Sequence, residues 1–453
     1  MSKRQNLLET ERPRLPPYPK YKDSGVGWLG KIPARWEVKR LKRLFLVVNG
    51  STPQSGVIDY WNGDIPWVTP EDLGKLKGPV IQTTRRRITE AGYRSCGTTL
   101  VPAGSLVLST RAPIGYLAIS GLELCTNQGC RSMVSRRKLN RKFFYFQLQA
   151  ARSELESWGE GSTFMELAKC KLEEMCIAEP AETEQCAIAA FLDRETAKID
   201  ALIEKKERLI ELLQEKRTAL ITQAVTKGLD PNVPMKDSGV EWLGEIPAHW
   251  RLTKMWVISQ ATSGATPPRE TLRYWDGEIP WVSPKDMKRH FIESSEETVS
   301  DAAVAEIGLK LISPPAILIV VRGMILAHSF PIALTKVPVT INQDMKALRL
   351  RPDVDVEFFA YWLEGVASNL LAVHVEEAAH GTKAIRMDEW HKTPVGLPSP
   401  DEQRTIVKSL DQETAKIDMF ITKSRAAIGR LKEYGIALIS AAVIGKIDVR
   451  DLS

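Results

Sequence analysis

A chain of 453 residues is too long for one ordinary hydrophobic core, so two or more domains are expected. Apolar residues make up 43% of the sequence and charged residues 26%, which is typical of a globular protein in water. An apolar run such as AILIVV (Ala316–Val321) is far shorter than the roughly 20 residues that a membrane helix needs, and no signal-peptide pattern opens the chain. We therefore expect a cytoplasmic protein without membrane segments.

The net charge of +6 is distributed unevenly along the chain. Residues 22–180 carry a net charge of +8, whereas residues 236–398 carry −4. A basic first half suits an anionic partner such as nucleic acid, and an acidic second half does not indicate one. The six cysteines lie in the first half and the six histidines in the second, so a Cys/His site would have to join the halves. We expect reduced cysteines and no bound metal.

In chain order, three phrases occur once in each half. They are KDSGVGWLGKIPARW (22–36) and KDSGVEWLGEIPAHW (236–250), GSTPQSGVIDYWNGDIPWVTPEDL (50–73) and GATPPRETLRYWDGEIPWVSPKDM (264–287), and EQCAIAAFLDRETAKID (184–200) and EQRTIVKSLDQETAKID (402–418). The first two pairs are 214 positions apart and the third is 218. The chain therefore consists of two copies of one module.

Between these phrases each copy contains short apolar, β-branched runs broken by Gly and Pro, such as SLVLSTR (105–111) and AILIVVR (316–322). This texture is typical of an α+β globular domain. The runs end on Arg111 and Arg322, and an Asn-Gln pair follows each of them. The copies thus share a scaffold and differ in the surface between the shared phrases.

Each copy ends in a segment with helical spacing, and residues 184–224 contain neither Gly nor Pro. One heptad position holds Leu192, Ile199, Leu213 and Leu220 in the first copy and Leu410, Ile417, Leu431 and Leu438 in the second, with Lys206 and Ser424 at the interrupted rung. Leu202 and Leu209 provide the second position of the first stripe. These patterns predict two long helices that pair as an antiparallel coiled coil. The alternative is that each stripe covers its own domain.

The predicted fold is α+β, a pseudo-twofold tandem repeat in which two globular α/β domains alternate with two long helices. The predicted segments are an N-terminal extension (1–21), a first domain (22–180), a first long helix (181–227), a linker with a second domain (228–398), and a second long helix with the C-terminal tail (399–453).

Catalytic signatures are incomplete in both copies. Gly25–Lys31 fits the start of a phosphate-binding loop, but Ile32 stands where a magnesium-binding Ser or Thr belongs. In the second copy the lysine is replaced by Glu245, which would repel a phosphate. No glycine-rich cofactor loop follows a predicted strand. We therefore expect no catalytic centre in this chain.

Two divergent domains that open with GSTP…YWNGDIPWVTPEDL and GATP…YWDGEIPWVSPKDM, alternating with helices that carry EQ…LDRETAKID and EQ…LDQETAKID, resemble the specificity subunit of type I restriction-modification systems. The resemblance implies two target-recognition domains, each reading one half of a bipartite, asymmetric double-stranded DNA sequence, with the helices as a spacer. It implies partners as well: two modification (methyltransferase) subunits and restriction (translocase and nuclease) subunits. S-adenosylmethionine, ATP and Mg²⁺ would be bound by those partners, and no cofactor by this chain.

Base edges are read best by Arg, Asn and Gln, and phosphates by Arg, Lys, Ser and Thr. The candidates for DNA contact are Arg85, Arg86, Arg87, Arg111, Arg136, Arg137, Lys138, Arg269, Arg273, Lys288, Arg289 and Arg322. For each of them the alternative is an ordinary solvated charge. We expect Arg136, Arg137 and Lys138 to face phosphates.

Residues that both copies share cannot easily encode different bases. Thr52, Asn127, Gln128, Thr266, Asn342 and Gln343 are therefore predicted to serve in structure or in phosphate contact. Trp67 and Trp281 are assigned to core packing. The repeated KDSG phrase is predicted to brace the junction of helix and domain with Trp28 and Trp242 as buried anchors, or else to dock a partner subunit.

Two other classes of function stay open at this point. One is an unrecognised nuclease or methyltransferase, which would cut or methylate DNA without partners. The other is a coiled-coil scaffold without a role in DNA recognition, for which replacing residues 40–180 by the same region of a relative would leave the target sequence unchanged.

Overall fold

Short strands and helices alternate through the first copy, and the same succession returns in the second. The computed structural model describes residues 15–111, 113–161, 165–377 and 381–450, so most of the predicted N-terminal extension lies outside the described residues. Two units are distinguished: the first runs up to Lys205 and resumes at Ala426, and the second runs from Lys206 to Arg425.

The first unit is built on a five-stranded and a three-stranded sheet. Its strands are β1 (Tyr21–Asp23), β2 (Lys31–Pro33), β3 (Glu37–Arg40), β4 (Phe45–Asn49), β5 (Trp61–Val68), β6 (Val80–Ile81), β7 (Arg86–Ile88), β8 (Leu106–Ser109), β9 (Leu117–Ser120), β10 (Cys125–Thr126), β11 (Cys130–Ser135) and β12 (Cys176–Glu179). Its helices are α1 (Leu41–Leu44), α2 (Pro70–Gly74), α3 (Glu90–Arg94), α4 (Arg141–Ala150), α5 (Arg152–Ser157), α6 (Lys169–Glu174) and the start of α7 (Glu182–Lys227).

The strand orders are β4-β11-β8-β9-β6 and β10-β5-β7. All four residues of β8 are buried, as in a sheet that is covered on both faces. Helix α4 begins at a capping side chain, because the Asn140 Oδ1 atom accepts a hydrogen bond from the Phe143 amide at 3.1 Å. Its aromatic residues Phe143, Phe144 and Phe146 are buried in the core.

The second unit repeats this topology. Its strands are β13 (Met235–Asp237), β14 (Glu245–Pro247), β15 (Arg251–Lys254), β16 (Ser259–Ser263), β17 (Trp275–Val282), β18 (Phe291–Ile292), β19 (Glu297–Val299), β20 (Ile317–Val320), β21 (Ile332–Thr335), β22 (Thr340–Ile341), β23 (Met345–Leu350), β24 (Val375–Glu377), β25 (Lys383–Ile385) and β26 (Pro394–Leu397). Its helices are α8 (Met255–Ile258), α9 (Asp301–Ile307), α10 (Val356–Gly365), α11 (Ala367–His374), α12 (Met387–Lys392) and the start of α13 (Pro400–Val443).

The strand orders β16-β23-β20-β21-β18 and β19-β17-β22 match those of the first unit strand for strand. In both five-stranded sheets the short edge strand, β6 or β18, is the one that pairs in parallel. The extra hairpin β24-β25 occurs in the second unit. The α+β tandem repeat predicted from the sequence is confirmed.

The long helices α7 and α13 pack against each other antiparallel. In the first unit, Ile199 in the first half of α7 shares an apolar cluster with Leu438 in the last turns of α13. In the second unit, Val225 at the end of α7 shares a cluster with Leu410 near the start of α13. The eight predicted seam residues are all buried or half-buried: Leu192, Ile199, Leu213, Leu220, Leu410, Ile417, Leu431 and Leu438.

The second position of the α7 stripe differs from the prediction. Leu202 and Leu209 are exposed, by 47% and 43%. The covered residues follow the shared heptad position by four places instead of three; they are Thr196, Ile203, Ile210, Arg217 and Ala224. Apolar residues stand at both spacings after Ile199, so the partner helix decides which of them it covers.

The repeated KDSG phrase folds as a two-stranded hairpin, β1-β2 or β13-β14, followed by a tryptophan against a helix end. The buried anchors are Trp36 and Trp250, which are 0% and 1% exposed. Trp28 and Trp242, the predicted anchors, are only half-buried, so that assignment is wrong. Trp36 is covered by a segment from the far end of the chain, since a Cβ atom placed on Gly445 would lie 3.2 Å from its ring.

A glutamate near the start of each long helix ties this hairpin down. Glu184 accepts hydrogen bonds from the Tyr18 hydroxyl and the Arg35 guanidinium, both at 2.7 Å. Burial and the adjacent Glu184 carboxylate raise the pKa of Tyr18 well above its usual value. In the second unit, Glu402 accepts from the Trp250 indole N–H at 3.0 Å. The shared phrases thus join the hairpin to the helix in both units.

The glutamine that follows this glutamate joins the helix to the globular part. The Gln403 side chain is fully buried and donates to the carbonyls of Pro398 at 3.0 Å and Asp353 at 3.2 Å. Its Oε1 atom accepts from the Asp355 amide at 2.7 Å. Gln185 donates in the same way to the Pro180 carbonyl. These structural hydrogen bonds therefore explain why both copies carry the Glu-Gln pair.

We expect Gln403→Leu to lower the free energy of unfolding by roughly 2–4 kcal/mol, because a buried amide and two carbonyls lose their partner. Urea unfolding of the full chain measures this change. Gln412→Leu on the exposed face of α13 is the matched control and should change stability by less than about 0.5 kcal/mol. Equal effects of the two substitutions would contradict this assignment.

Candidate nucleic-acid interface

A pair of tryptophans anchors the three-stranded sheet in each domain. Trp61 and Trp67 lie edge to face with ring centroids 5.2 Å apart, and Trp275 and Trp281 are also 5.2 Å apart. Trp67 and Trp281 are each 3% exposed, which confirms their assignment to the core. Six residues of regular strand would separate the two tryptophans of a pair by about 20 Å. The strand is irregular between them, with Asn62 and Asp276 at positive φ, and this irregularity brings the two rings together.

The buried tryptophan of each pair holds the GSTP or GATP loop. The indole N–H of Trp67 donates to the Ser51 carbonyl at 3.0 Å, and that of Trp281 donates to the Ala265 carbonyl at 3.0 Å. The loop is then tied to the Asn-Gln turn, because Thr52 donates to the Gln128 side-chain oxygen and Thr266 donates to that of Gln343.

The shared asparagines cap the same turn. The Asn127 Oδ1 atom accepts from the Gly129 amide at 3.0 Å, and the Asn342 Oδ1 atom accepts from the Asp344 amide at 3.1 Å. The side-chain oxygens of both asparagines are thus occupied by backbone N–H groups of the turn. Gln128 and Gln343 are exposed next to them. Loop, turn and tryptophan pair form one small platform in each domain, which we call the Trp platform.

A guanidinium lies on each Trp platform. The Arg86 Cζ atom is 3.7 Å from the centroid of the Trp61 ring, and the Arg269 Cζ atom is 4.0 Å from that of Trp275. Arg269 also forms a bidentate ion pair with Glu297, in which Nη2 lies 3.1 Å from Oε2. This hydrogen bond holds the pKa of Glu297 below its usual value. Arg269 thus carries a partly neutralised charge, unlike Arg86.

The neighbours of Arg86 in the arginine run point elsewhere. Arg85 pairs with Glu71 at 2.7 Å, whereas Arg87 is exposed, with no ion-pair partner in the described part of the chain. Arg87 lies on the opposite side of the strand from Arg86, as the alternation of side chains in a strand requires, and Arg85 precedes the strand.

Arg111 and Arg322 occupy matching places after β8 and β20. Arg111 is bound by Glu166, with Nη2 2.7 Å from Oε2. Burial acts to raise the pKa of Glu166, but hydrogen bonds and charge from Arg111 and Arg131 lower it overall. In the second domain Ala384 bridges to Arg322, so this arginine has no carboxylate at that position. The two domains therefore present different charge at one shared place.

The other basic candidates lie at several separate places in the two domains, and most of them are bound by protein groups. Arg137 and Lys138 pair with Glu179 and Glu182 next to the start of α7, and Arg136 donates to the Lys42 carbonyl. They are thus held by protein groups at the base of the domain rather than at the Trp platform. In the second domain Arg273 pairs with Glu306 on α9, and Lys288 and Arg289 are exposed between β17 and β18.

Trp61 and Trp275 were not identified from the sequence as the rings on which Arg86 and Arg269 stack. Glu166 and Glu297 were also not identified as the ion-pair partners of Arg111 and Arg269. The Tyr-Trp dipeptide that both copies share was an available signal for the tryptophans. The carboxylates had no such signal, because strand pairing and a bulge bring them to the arginines.

The metal-ligating side chains and thiols of the described residues form neither a metal-binding cluster nor a disulfide. No group of three or more His, Cys, Asp or Glu side chains there is arranged to hold a metal ion. All six cysteines are free thiols, and burial raises the pKa of Cys125 to about 11. None of the helices in the described ranges has the length and apolar character needed to cross a membrane.

Comparison with known proteins gives a consistent result. The family model for the type I restriction modification DNA specificity domain matches residues 33–212 and 250–428. The specificity subunit of the type I restriction enzyme MjaIX from Methanocaldococcus jannaschii is 31% identical over 301 residues, which are 64% of this chain and 67% of that protein. The EcoR124I/EcoR124II specificity subunit from Escherichia coli is 34% identical over 186 residues, 40% of this chain and 43% of that one.

Solved structures share the fold. A chain from a type I restriction-modification system, studied for complex assembly and conformational transition, has a TM-score of 0.66 at 18% identity and covers 92% of this chain and 99% of its own. The HsdS subunit from Thermoanaerobacter tengcongensis has a TM-score of 0.52 at 15% identity, over 92% and 98%. With two matches of the family model spanning most of its length, this chain belongs to the family of type I restriction-modification specificity subunits, which carry DNA target-recognition domains and are not themselves catalytic.

Proposed function

We propose that this specificity subunit reads a bipartite, asymmetric DNA sequence, with one half-site for each target-recognition domain. The observation that carries this proposal is that one platform recurs in both domains with different charged residues around it. On the platforms, Arg86 has no carboxylate partner among the described residues, whereas Arg269 is paired with Glu297. At matching places after β8 and β20, Arg111 is paired with Glu166, whereas Arg322 forms a backbone bridge with Ala384. Because arginine, carboxylate and small residues favour different base edges, unlike surfaces on a common frame suit unlike half-sites.

The paired helices α7 and α13 act in this proposal as the spacer between the readers. Half-sites on a duplex have a separation fixed by the helical pitch, about 34–36 Å per turn, so two readers need a stiff connection. The stripe of buried residues along both helices supports such a connection, since a paired helix bends less easily than a single one.

The chemistry belongs, in this proposal, to partner subunits. Two modification subunits would bind S-adenosylmethionine and methylate adenine, and restriction subunits would use ATP and Mg²⁺ for translocation and cleavage. The residues of this chain would bind and orient DNA for them. The exposed arginines near the Trp platforms would contact phosphates or base edges, and the helices would set the register of the two contacts.

Methylome sequencing of cells with and without this protein tests the proposal. We expect one bipartite adenine-methylation motif to disappear when the protein is removed, and its two halves to differ in sequence. An unchanged methylome in cells that contain the modification subunits would contradict the proposal. The purified chain, incubated with DNA, Mg²⁺ and S-adenosylmethionine without partners, should neither cut nor methylate.

A further inference from the structure

The guanidiniums on the two Trp platforms occupy the same place. Arg86 lies 3.7 Å from the Trp61 ring and 5.4 Å from the Trp67 ring. Arg269 lies 4.0 Å from Trp275 and 5.3 Å from Trp281. The corresponding distances from guanidinium to ring centroid in the two domains therefore agree within a few tenths of an ångström.

These arginines nevertheless come from different parts of the module. Arg86 is in β7, directly opposite Trp67 in the strand pairing, and the residue opposite Trp281 is Glu297. Arg269 belongs to the GATP loop, where the offset of 214 places Ser55 in the first copy. The position of the cation is thus the same in both domains, while the sequence position that supplies it is not.

Both platforms leave the guanidinium exposed beside polar groups. A guanidinium stacked on an indole has one face covered, and its five N–H donors stay at the open edge. In Arg269 two of these donors are taken by Glu297 and three remain. The Thr52–Gln128 and Thr266–Gln343 pairs belong to the same platforms, because each threonine follows the residue whose carbonyl accepts from the buried tryptophan. Within the described residues, Arg86 has no carboxylate partner, so its charge is fully available.

A ligand that selects the same cation at the same place in two domains with different targets must be common to both half-sites. Bases differ between half-sites, whereas backbone phosphates do not. Building on the proposed function, we propose that each Trp platform is a phosphate-binding site, in which the stacked arginine, the threonine and the glutamine hold one DNA phosphate and so fix the register of the domain on the duplex.

The arrangement in the second domain provides a design for the test. In Arg86→Glu the first platform loses its cation. In the double variant Arg86→Glu/Ser55→Arg it acquires the arrangement of the second, with an arginine from the loop paired to a glutamate on the strand. Arg94→Glu, on an exposed side chain of α3, changes the net charge by the same amount away from the platform.

The measurement is the affinity of the full chain for a 30-base-pair duplex of mixed sequence between 50 and 200 mM salt. We expect Arg86→Glu to weaken binding roughly tenfold at 50 mM salt and to reduce the slope of log affinity against log salt by about 1. The double variant should recover most of both losses. Arg94→Glu should leave the slope unchanged, and Arg86→Gln should lower it as Arg86→Glu does.

Thermal unfolding of each variant shows whether it is folded, and Arg86→Gln provides the second reading if Arg86→Glu is unstable. A slope unchanged in both Arg86 variants, or a double variant as weak as Arg86→Glu alone, would overturn the phosphate site while leaving the proposed function intact. A wild-type chain with no affinity for the duplex at any salt concentration would instead reject DNA reading, and the phosphate site with it.

Discussion

Four residues inserted between Ala201 and Leu202 of α7 are expected to widen the gap between the two half-sites of the methylated sequence. The insertion adds about 6 Å of helix, which corresponds to about one to two base pairs of duplex. It lies just after Ile199, which shares an apolar cluster with the α13 residue Leu438. Four residues complete slightly more than one helical turn, so the buried stripe continues on nearly the same side of α7 with a local unwinding of the coiled coil.

The readout is the methylated motif found by methylome sequencing of cells that carry the variant and the modification subunits. An insertion of two residues at the same point is the control, because it turns the rest of α7 by about 200° and moves the stripe to the opposite side. We expect that variant to lose methylation rather than to acquire a new gap. A four-residue variant that methylates the original motif would show that the helices do not set the distance.

The repetition of the sequence made the fold predictable at the level of domains and helices. Similar phrases in the same order, at offsets of 214 to 218, imply similar frames, and the sheets of the two units do have the same strand order. The packing of individual side chains against residues far away in the chain could not be predicted from the sequence. The buried rung of α7 uses Ile203 and not Leu202, and both are apolar, so only the position of α13 distinguishes them.

The site shows the same division. An arginine run at 85–87 indicates a cationic surface, and strand alternation separates Arg86 from Arg87. The sequence does not show that Trp61 lies beside Trp67, because residues six apart in a regular strand are about 20 Å apart and only the bulge in β5 brings the two rings together. Likewise, Arg269 meets Glu297 through the pairing of β17 with β19, which no local pattern predicts.

Trp36→Ala is expected to lower the free energy of unfolding by about 3–5 kcal/mol, the usual cost of removing a fully buried large aromatic side chain. Trp28→Ala, in the same phrase, should cost only about 1–2 kcal/mol, because Trp28 is half-buried and loses one hydrogen bond to the Cys176 carbonyl. Urea unfolding of the full chain compares the two. Equal costs would return Trp28 to the role of anchor.

Substituting phenylalanine for the two equivalent anchors, Trp36 and Trp250, separates the contribution of ring packing to stability from that of the indole hydrogen bond. The Trp36 indole N–H has no partner among the described residues, whereas that of Trp250 donates to Glu402 at 3.0 Å. Trp250→Phe should therefore cost about 1–3 kcal/mol more than Trp36→Phe, because the bond to a carboxylate is lost in addition to the packing. If the two substitutions cost the same, Glu402 contributes nothing through this bond, and the hairpin is held to α13 by the packing of its tryptophan and by the contact of His249 Nε2 with Glu402 Oε2 at 3.0 Å.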